Sequence, residues 1–244
     1  MRKFLGTVAS VALLVTGAPA FAATFLVIDS FADQQRVQDT PTNNPNNSQI
    51  SADVLGGYRD LAVRNTSANG SAEGATELHV TGGNLKFSNV AGARGEGFLT
   101  YDGNDDATSV DTTGLGGVNF LVGTNPYLFF SEPEDVKFDN TAFFRVTAWD
   151  MFGGEAVYEE TLTAGYDPRL FLSQFTTTEG FNFGSIGALQ FFVSSTNLAD
   201  SVDGAIAQIE LRADDVAPIP LPASGLLLLG GMGGLTFLRR RKKV

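Results

Sequence analysis

The 244-residue chain has no cysteine. No disulfide supports its fold, and thiol chemistry is excluded. It has a single histidine, His79, inside the run Glu77-Leu78-His79-Val80. Nucleophilic catalysis needs a base beside the nucleophile, and His79 in that run reads as a surface or packing residue. GxSxG and HExxH are both absent. No internal repeat is evident, which counts against a solenoid or propeller. Positive charge is scarce: 16 Lys and Arg stand against 27 Asp and Glu, a formal net charge of −11. A chain of that sign does not bind nucleic acid through phosphates.

What is present is concentrated at the two ends. Met1-Arg2-Lys3, an apolar run from Phe4 to Val15, and Ala20-Phe21-Ala22 follow the order of a secretory signal peptide, with Ala20 and Ala22 framing the cut. The other end reads Pro218-Ile219-Pro220-Leu221-Pro222-Ala223-Ser224, then an apolar run from Gly225 to Leu238, then Arg239-Arg240-Arg241-Lys242-Lys243. Prolines make a stiff extended collar that cannot join a helix. The uncharged stretch from Ala223 to Leu238 spans roughly 24 Å as a helix, a little short of a bilayer core. Snorkelling arginines and slight thinning of the bilayer close the gap. The five cations stay on the cytoplasmic side, so the rest of the chain lies beyond the membrane. Gly230 and Gly234 form a GxxxG pair, either a close-packing face for another membrane helix, such as that of a processing enzyme, or simply the small residues common in membrane helices.

The domain expectation is therefore a signal peptide over 1–22, an exported body over 23–217, and a sorting segment over 218–244. Within the last, 218–224 is the collar, 225–238 a transmembrane helix and 239–244 the basic tail. Without Arg2, Lys3 and the five tail cations, the net charge of the body is −18. The collar, short span and basic end resemble the PEP-CTERM protein-sorting signal of Gram-negative bacteria. The closest form is the variant named for Val-Pro-Leu-Pro-Ala, matched by Ile219, Pro220, Leu221, Pro222 and Ala223. Ile replaces the usual Val, and there is no Pro-Glu-Pro triplet. The resemblance covers about a tenth of the chain. It implies export through the inner membrane, transient anchoring there, and recognition by an exosortase, a membrane protease. Cutting near the collar would then release the protein to the cell surface or extracellular matrix, among exopolysaccharide.

The body reads as short strands separated by Gly-rich turns. They run over Thr24–Phe31, Tyr58–Arg64, Thr76–Val80, Asn84–Asn89, Glu96–Tyr101, Val118–Val122, Tyr127–Phe130, Ala142–Trp149, Glu155–Thr163 and Arg169–Phe175. Leu189, Phe191 and Val193 share a face of another, and Ala205, Ala207, Ile209 and Leu211 share a face of the last. Asp33–Ala52 and Asp102–Gly117 are expected loops. The body shows no amphipathic helix. The fold expected is all-β, a single antiparallel β-sandwich of jelly-roll type, with helices only in the signal and the tail.

Four short pieces resemble β-sandwich domains of exported bacterial proteins, including carbohydrate-binding modules: Ile28-Asp29-Ser30-Phe31, Leu55-Gly56-Gly57-Tyr58-Arg59-Asp60-Leu61, Leu99-Thr100-Tyr101-Asp102-Gly103, and Ala207-Gln208-Ile209-Glu210-Leu211. That resemblance implies a structural Ca²⁺ between the first and last strands, near Asp29, Glu210, Asp214 or Asp215. Independently, Asp102, Asn104 and Asp106 alternate as oxygen donors, without the later Gly and Glu of an EF-hand; the alternative is an Asx-rich turn. Trp149 and Tyr101 are the candidate sugar-stacking residues, set against a core role for each. Among the acids, Glu155, Glu159, Glu160 and Glu179 are open as a hydrolytic pair, with nothing to choose between them.

The expected function is an exported, exosortase-sorted surface or matrix protein, non-catalytic and associated with polysaccharide. The alternatives are a polysaccharide-active hydrolase or lyase on a jelly-roll scaffold, and a purely structural matrix or adhesion protein.

Overall fold

The computed structural model describes residues 23–39, 46–67, 74–131, 138–162 and 169–214. In chain order its strands are β1 (Ala23–Asp29), β2 (Gln35–Gln38), β3 (Asn46–Ser51), β4 (Tyr58–Asn65), β5 (Thr76–Thr81), β6 (Asn84–Asn89), β7 (Gly95–Tyr101), β8 (Tyr127–Ser131), β9 (Ala142–Asp150), β10 (Glu155–Leu162), β11 (Arg169–Phe171), β12 (Thr176–Thr177), β13 (Ile186–Ser194), β14 (Asp203–Ile206) and β15 (Gln208–Ala213). The pairings between them are antiparallel. The all-β class is as expected, but the single sandwich is not. The strands form three sheets: one of seven, ordered β12-β10-β9-β13-β7-β4-β3, and two of four, ordered β1-β15-β8-β11 and β14-β6-β5-β2.

The reason lies in the last strand. Alternation runs unbroken from Ala205 to Leu211, so one strand is expected. Instead the chain pairs with β6 through Ile206 and with β8 from Gln208. It changes sheets across the single residue Ala207. Both small sheets supply residues to one core against the inner face of the large sheet. Phe130 of β8 meets Phe191 and Phe144 edge-on, at 5.8 and 5.6 Å between ring centroids. Leu78 and Phe87 close over Gly97, where any Cβ would sit about 3.1 Å from either ring or methyl. Leu61, Val63, Val146 and Leu189 on that inner face are fully buried, as the alternation along β4, β9 and β13 requires.

Three other expectations change. Asp33–Ala52 contains β2 and β3 rather than a continuous loop, and Gln35 and Asp39 are buried there. Val118–Val122 is not a strand; it makes one isolated bridge, Val118 to Ile186. In Arg169–Phe175 only β11 is extended, and a 3₁₀ turn follows over Leu172–Gln174.

Residues 102–117 form an irregular loop, as expected, and it is built tightly onto the sheet. Gly56, at φ +77°, lies so close that a Cβ would be 2.9 Å from the Gly103 amide nitrogen. Gly187 lies beneath the loop, where a Cβ would be 2.1 Å from the Thr112 carbonyl oxygen. The β13–β9 register shifts between Ile186 and Ala188 to accommodate that approach.

The signal peptide, with Ala20 and Ala22, lies outside the described residues. So does the whole 218–244 segment with Ile219, Pro220, Leu221, Pro222, Ala223 and the cations from Arg239 to Lys243. Among the described residues no helix is long and apolar enough to cross a membrane.

Candidate functional site

The outer face of the seven-stranded sheet carries the polar halves of its strands. On β9, Arg145, Thr147 and Trp149 alternate with the inward Phe144, Val146 and Ala148. Registry aligns Trp149 with Glu155 of β10 and Ala188 of β13, Thr147 with Val157 and Gln190, and Arg145 with Glu159 and Phe192. All of these except Ala188 and Phe192 line an open groove of about 290 Å³. Trp149 is half-buried in it, so its ring is anchored yet presents a surface. Arg145 is 3.8 Å from the Glu159 carboxylate and stacks over the Phe192 ring at 4.8 Å. Of the four acids considered as a pair, Glu155 and Glu159 share this groove. Glu160 points to the opposite face, where it accepts a 2.6 Å hydrogen bond from the Tyr158 hydroxyl. Glu179 is exposed in a turn.

Asp150 braces the end of the groove. It is fully buried. Its Oδ1 accepts from the amides of Phe152 and Gly154, and its Oδ2 from the Asn182 amide, each at 2.8 Å. Burial pushes its pKa up, but the Gly154, Phe152, Asn182 and Gly153 amides outweigh that and hold it below the usual carboxylate range. The turn it ties presents Phe152, which is 77% exposed.

Gln190 joins this groove to a second hollow on the same face. Its amide donates to the Thr100 hydroxyl at 3.0 Å. Beyond Thr100, in register, stands Asp60 of β4. Asp60, Phe98, Thr100 and Gln190 form the floor of a cavity of about 420 Å³, and loop residues Thr108 and Ser109 contribute to its walls. Asp60 is only 3% exposed, and neither carboxylate oxygen has a hydrogen-bond partner. Burial, then the negative charges of Asp102, Asp105 and Asp106, push its pKa up to about 7. Sequence reasoning missed Asp60; its place on the outer row of β4 is legible, but its isolation from any donor is not.

The structure disperses the expected calcium ligands. Asp29 and Glu210 do sit on the first and last strands, which pair as β1 and β15. Asp29, however, is turned to the core. It holds fully buried Arg59 through Nη1 at 3.0 and 3.2 Å, and it accepts from the Tyr101 hydroxyl at 2.7 Å and the Phe31 amide at 2.6 Å. Glu210 accepts from the Thr24 hydroxyl and pairs with Arg212. Asp214 donates its amide to the Thr124 carbonyl at 3.0 Å. Asp215 lies outside the described residues.

In the loop, Asp102 accepts from the Asn104 and Asp111 amides at 3.0 and 2.7 Å. Asn104 accepts from the Asp105 amide at 3.0 Å. Asp106 accepts from the Thr108 and Ser109 hydroxyls and the Thr108 amide, which lower its pKa. These are the bonds of Asx turns. Among the described residues no three His, Cys, Asp or Glu side chains gather as a metal site. Tyr101 is fully buried and belongs to the core; burial, then the Asp29 charge, pushes its pKa up. His79 lies 3.8 Å from Glu77 on β5, apart from both hollows.

No protein-family model matches the chain, and no curated protein does. Among solved structures, one titled "Structure of PfGH50B" matches with a TM-score of 0.37 at 12% sequence identity. The match covers 63% of this chain and 22% of that one, so this chain spans about a fifth of that structure's length. That likeness does not support the expectation of a non-catalytic body, which is not carried further. It assigns no residue a role.

Proposed function

We propose that the chain is an exported protein, delivered to the cell surface through an exosortase-type protease acting on its 218–244 tail, and that its body engages polysaccharide at the Trp149 groove. The observation that carries the binding reading is the composition of that groove. One anchored indole is framed by Glu155, Arg145, Glu159, Thr147 and Gln190 on an open sheet face. Sugars present an apolar ring face edged by hydroxyls, and an aromatic plate ringed by hydrogen-bonding groups is complementary to it.

Binding of the protein to an array of polysaccharides tests this. Trp149→Ala should weaken the recognised glycan at least tenfold while leaving the melting temperature within a few degrees. Equal binding by the variant would remove the groove from the account. The sorting reading is supported by the order of collar, span and cations in the sequence. Intact-mass analysis from the native host, wild type beside Pro222→Ala, reads it. The wild type should lack Arg239–Lys243 and the variant should retain them.

A second reading is a polysaccharide-cleaving enzyme at the same groove, favoured by the presence of both Glu155 and Glu159 in it. Four residues along a strand set their Cα atoms about 13 Å apart. Inverting glycosidases hold their carboxyl groups about 6.5–9.5 Å apart, so this reading requires the two side chains to lean toward each other. Product release from the bound glycan, lost in both Glu155→Gln and Glu159→Gln, would establish cleavage. Binding without product would leave the groove a recognition surface.

A further inference from the structure

Asp60 is the one buried group among the described residues whose side-chain oxygens lack any hydrogen-bond partner. A carboxylate withdrawn from water without a donor is unfavourable, and three further acids make its surroundings more negative. Asp102, Asp105 and Asp106 on the loop are the charged groups that act on it. The strands packed beside it present neutral groups to the cavity: Asn47 of β3, Phe98 and Thr100 of β7, and Gln190 of β13. The neighbouring cation on its own strand, Arg59, is turned to the other face and committed to Asp29. Among the described residues that line the cavity there is no cation.

We infer that this cavity binds a primary ammonium group carried on a hydroxylated scaffold, namely an amino sugar of a polysaccharide, with Asp60 as the counter-ion. The scaffold rests on the polysaccharide reading above; the ammonium rests on Asp60. An ammonium offers three donors, and the Thr100 hydroxyl, already accepting from Gln190, keeps a second lone pair for one of them. The Phe98 ring lines the same cavity, and an aromatic ring is a favourable neighbour for a cation. The Gln190, Thr108 and Ser109 side chains supply partners for sugar hydroxyls. A cavity of about 420 Å³ falls within the size range of small-ligand sites. A divalent metal suits the site less well. It demands six or more oxygen ligands, and the oxygens of Asp102 and Asp106 are already engaged by amides and hydroxyls.

The test is calorimetric titration of the full chain in mild detergent with a glucosamine tetramer. Its N-acetylated counterpart, a glucose tetramer and calcium chloride serve as separate probes. The glucosamine tetramer should bind at least tenfold more tightly than the other two sugars. Its affinity should rise severalfold from pH 5.5 to pH 6.5, as the carboxylate ionises while the amine stays largely protonated. Asp60→Asn should abolish both the preference and the rise with pH. Equal binding of all three tetramers, insensitive to Asp60→Asn but lost in Trp149→Ala, would overturn this inference and keep the groove. Heat from calcium that disappears in Asp60→Asn would make the cavity a metal site instead. Absence of binding by any tetramer at millimolar concentration also rejects the inference, while the polysaccharide array judges the groove separately. The pH dependence of the wild type decides the matter even if Asp60→Asn fails to fold.

Discussion

Asp29 is enclosed by donors: Arg59, the Tyr101 hydroxyl and the Phe31 amide. Arg59 in turn spends its remaining nitrogens on Gln35 and the Asp33 carbonyl. Removing one charge from such a pair strands the other in the core. Asp29→Asn should therefore cost about 3–5 kcal/mol in urea denaturation. Tyr101→Phe removes a single hydrogen bond to a charged acceptor and should cost about 1.5–3 kcal/mol. Asp60 has the opposite problem. Its pKa rises from an unfolded value of 3.8 to about 7, so between those values the folded state holds more protons than the unfolded chain. Stability then falls as pH climbs through that window, and the full cost is reached above about pH 7. Allowing for solvent in the adjoining cavity, the effect is on the order of 2 kcal/mol. Asp60→Asn should flatten the curve of unfolding free energy against pH between pH 4 and pH 8.

At the level of elements, the β9–β10 turn depends on Asp150. Its carboxylate is held below the usual range, so its contribution is fully present above about pH 4 and is lost as pH falls through the lower folded value. Asp150→Ala strands the amides it accepts from and should cost about 1–3 kcal/mol at pH 7, read by chemical denaturation. Gly187→Ala would push a methyl into the Thr112 carbonyl. Displacing the 102–117 loop should cost about 1–3 kcal/mol.

Strands whose alternation opposes apolar to polar faces were legible in the sequence. β4, β9 and β13 bury the faces that their spacing marks. β2 and β3 were not legible, because Gln35 and Asp39 are buried through distant partners. Gln35 reaches Arg59 and the Ser48 carbonyl, and Asp39 accepts from the Thr76 amide. No local pattern records such bonds. The division at Ala207 escaped notice for a related reason: period-two alternation says which side faces the core, but not which neighbouring strand receives the hydrogen bonds. The groove was half legible. Trp149 at a strand end beside an acid stood out, whereas its alignment with Glu155 and Gln190 depends on registry across three strands.

Over the whole molecule, the surface charge and the stepped β14–β15 path shape how the body behaves. With a net charge of −18, self-repulsion should keep it dispersed at low salt and slow its approach to anionic polymers. An amine-bearing polymer should be captured faster at low ionic strength, which stopped-flow measurement at two salt concentrations would reveal. The pairing of Ala23 with Ala213 has a further consequence. The first described residue and the final residue of β15 are adjacent strand neighbours, about 5 Å apart. A short glycine bridge can therefore join them, and fresh ends can be opened at the Gly82–Gly83 hairpin, where both residues stand clear of neighbouring atoms. This circularly permuted body should melt within a few degrees of the original. In the native order, the same adjacency brings residues 23 and 213 out at a single corner of the body.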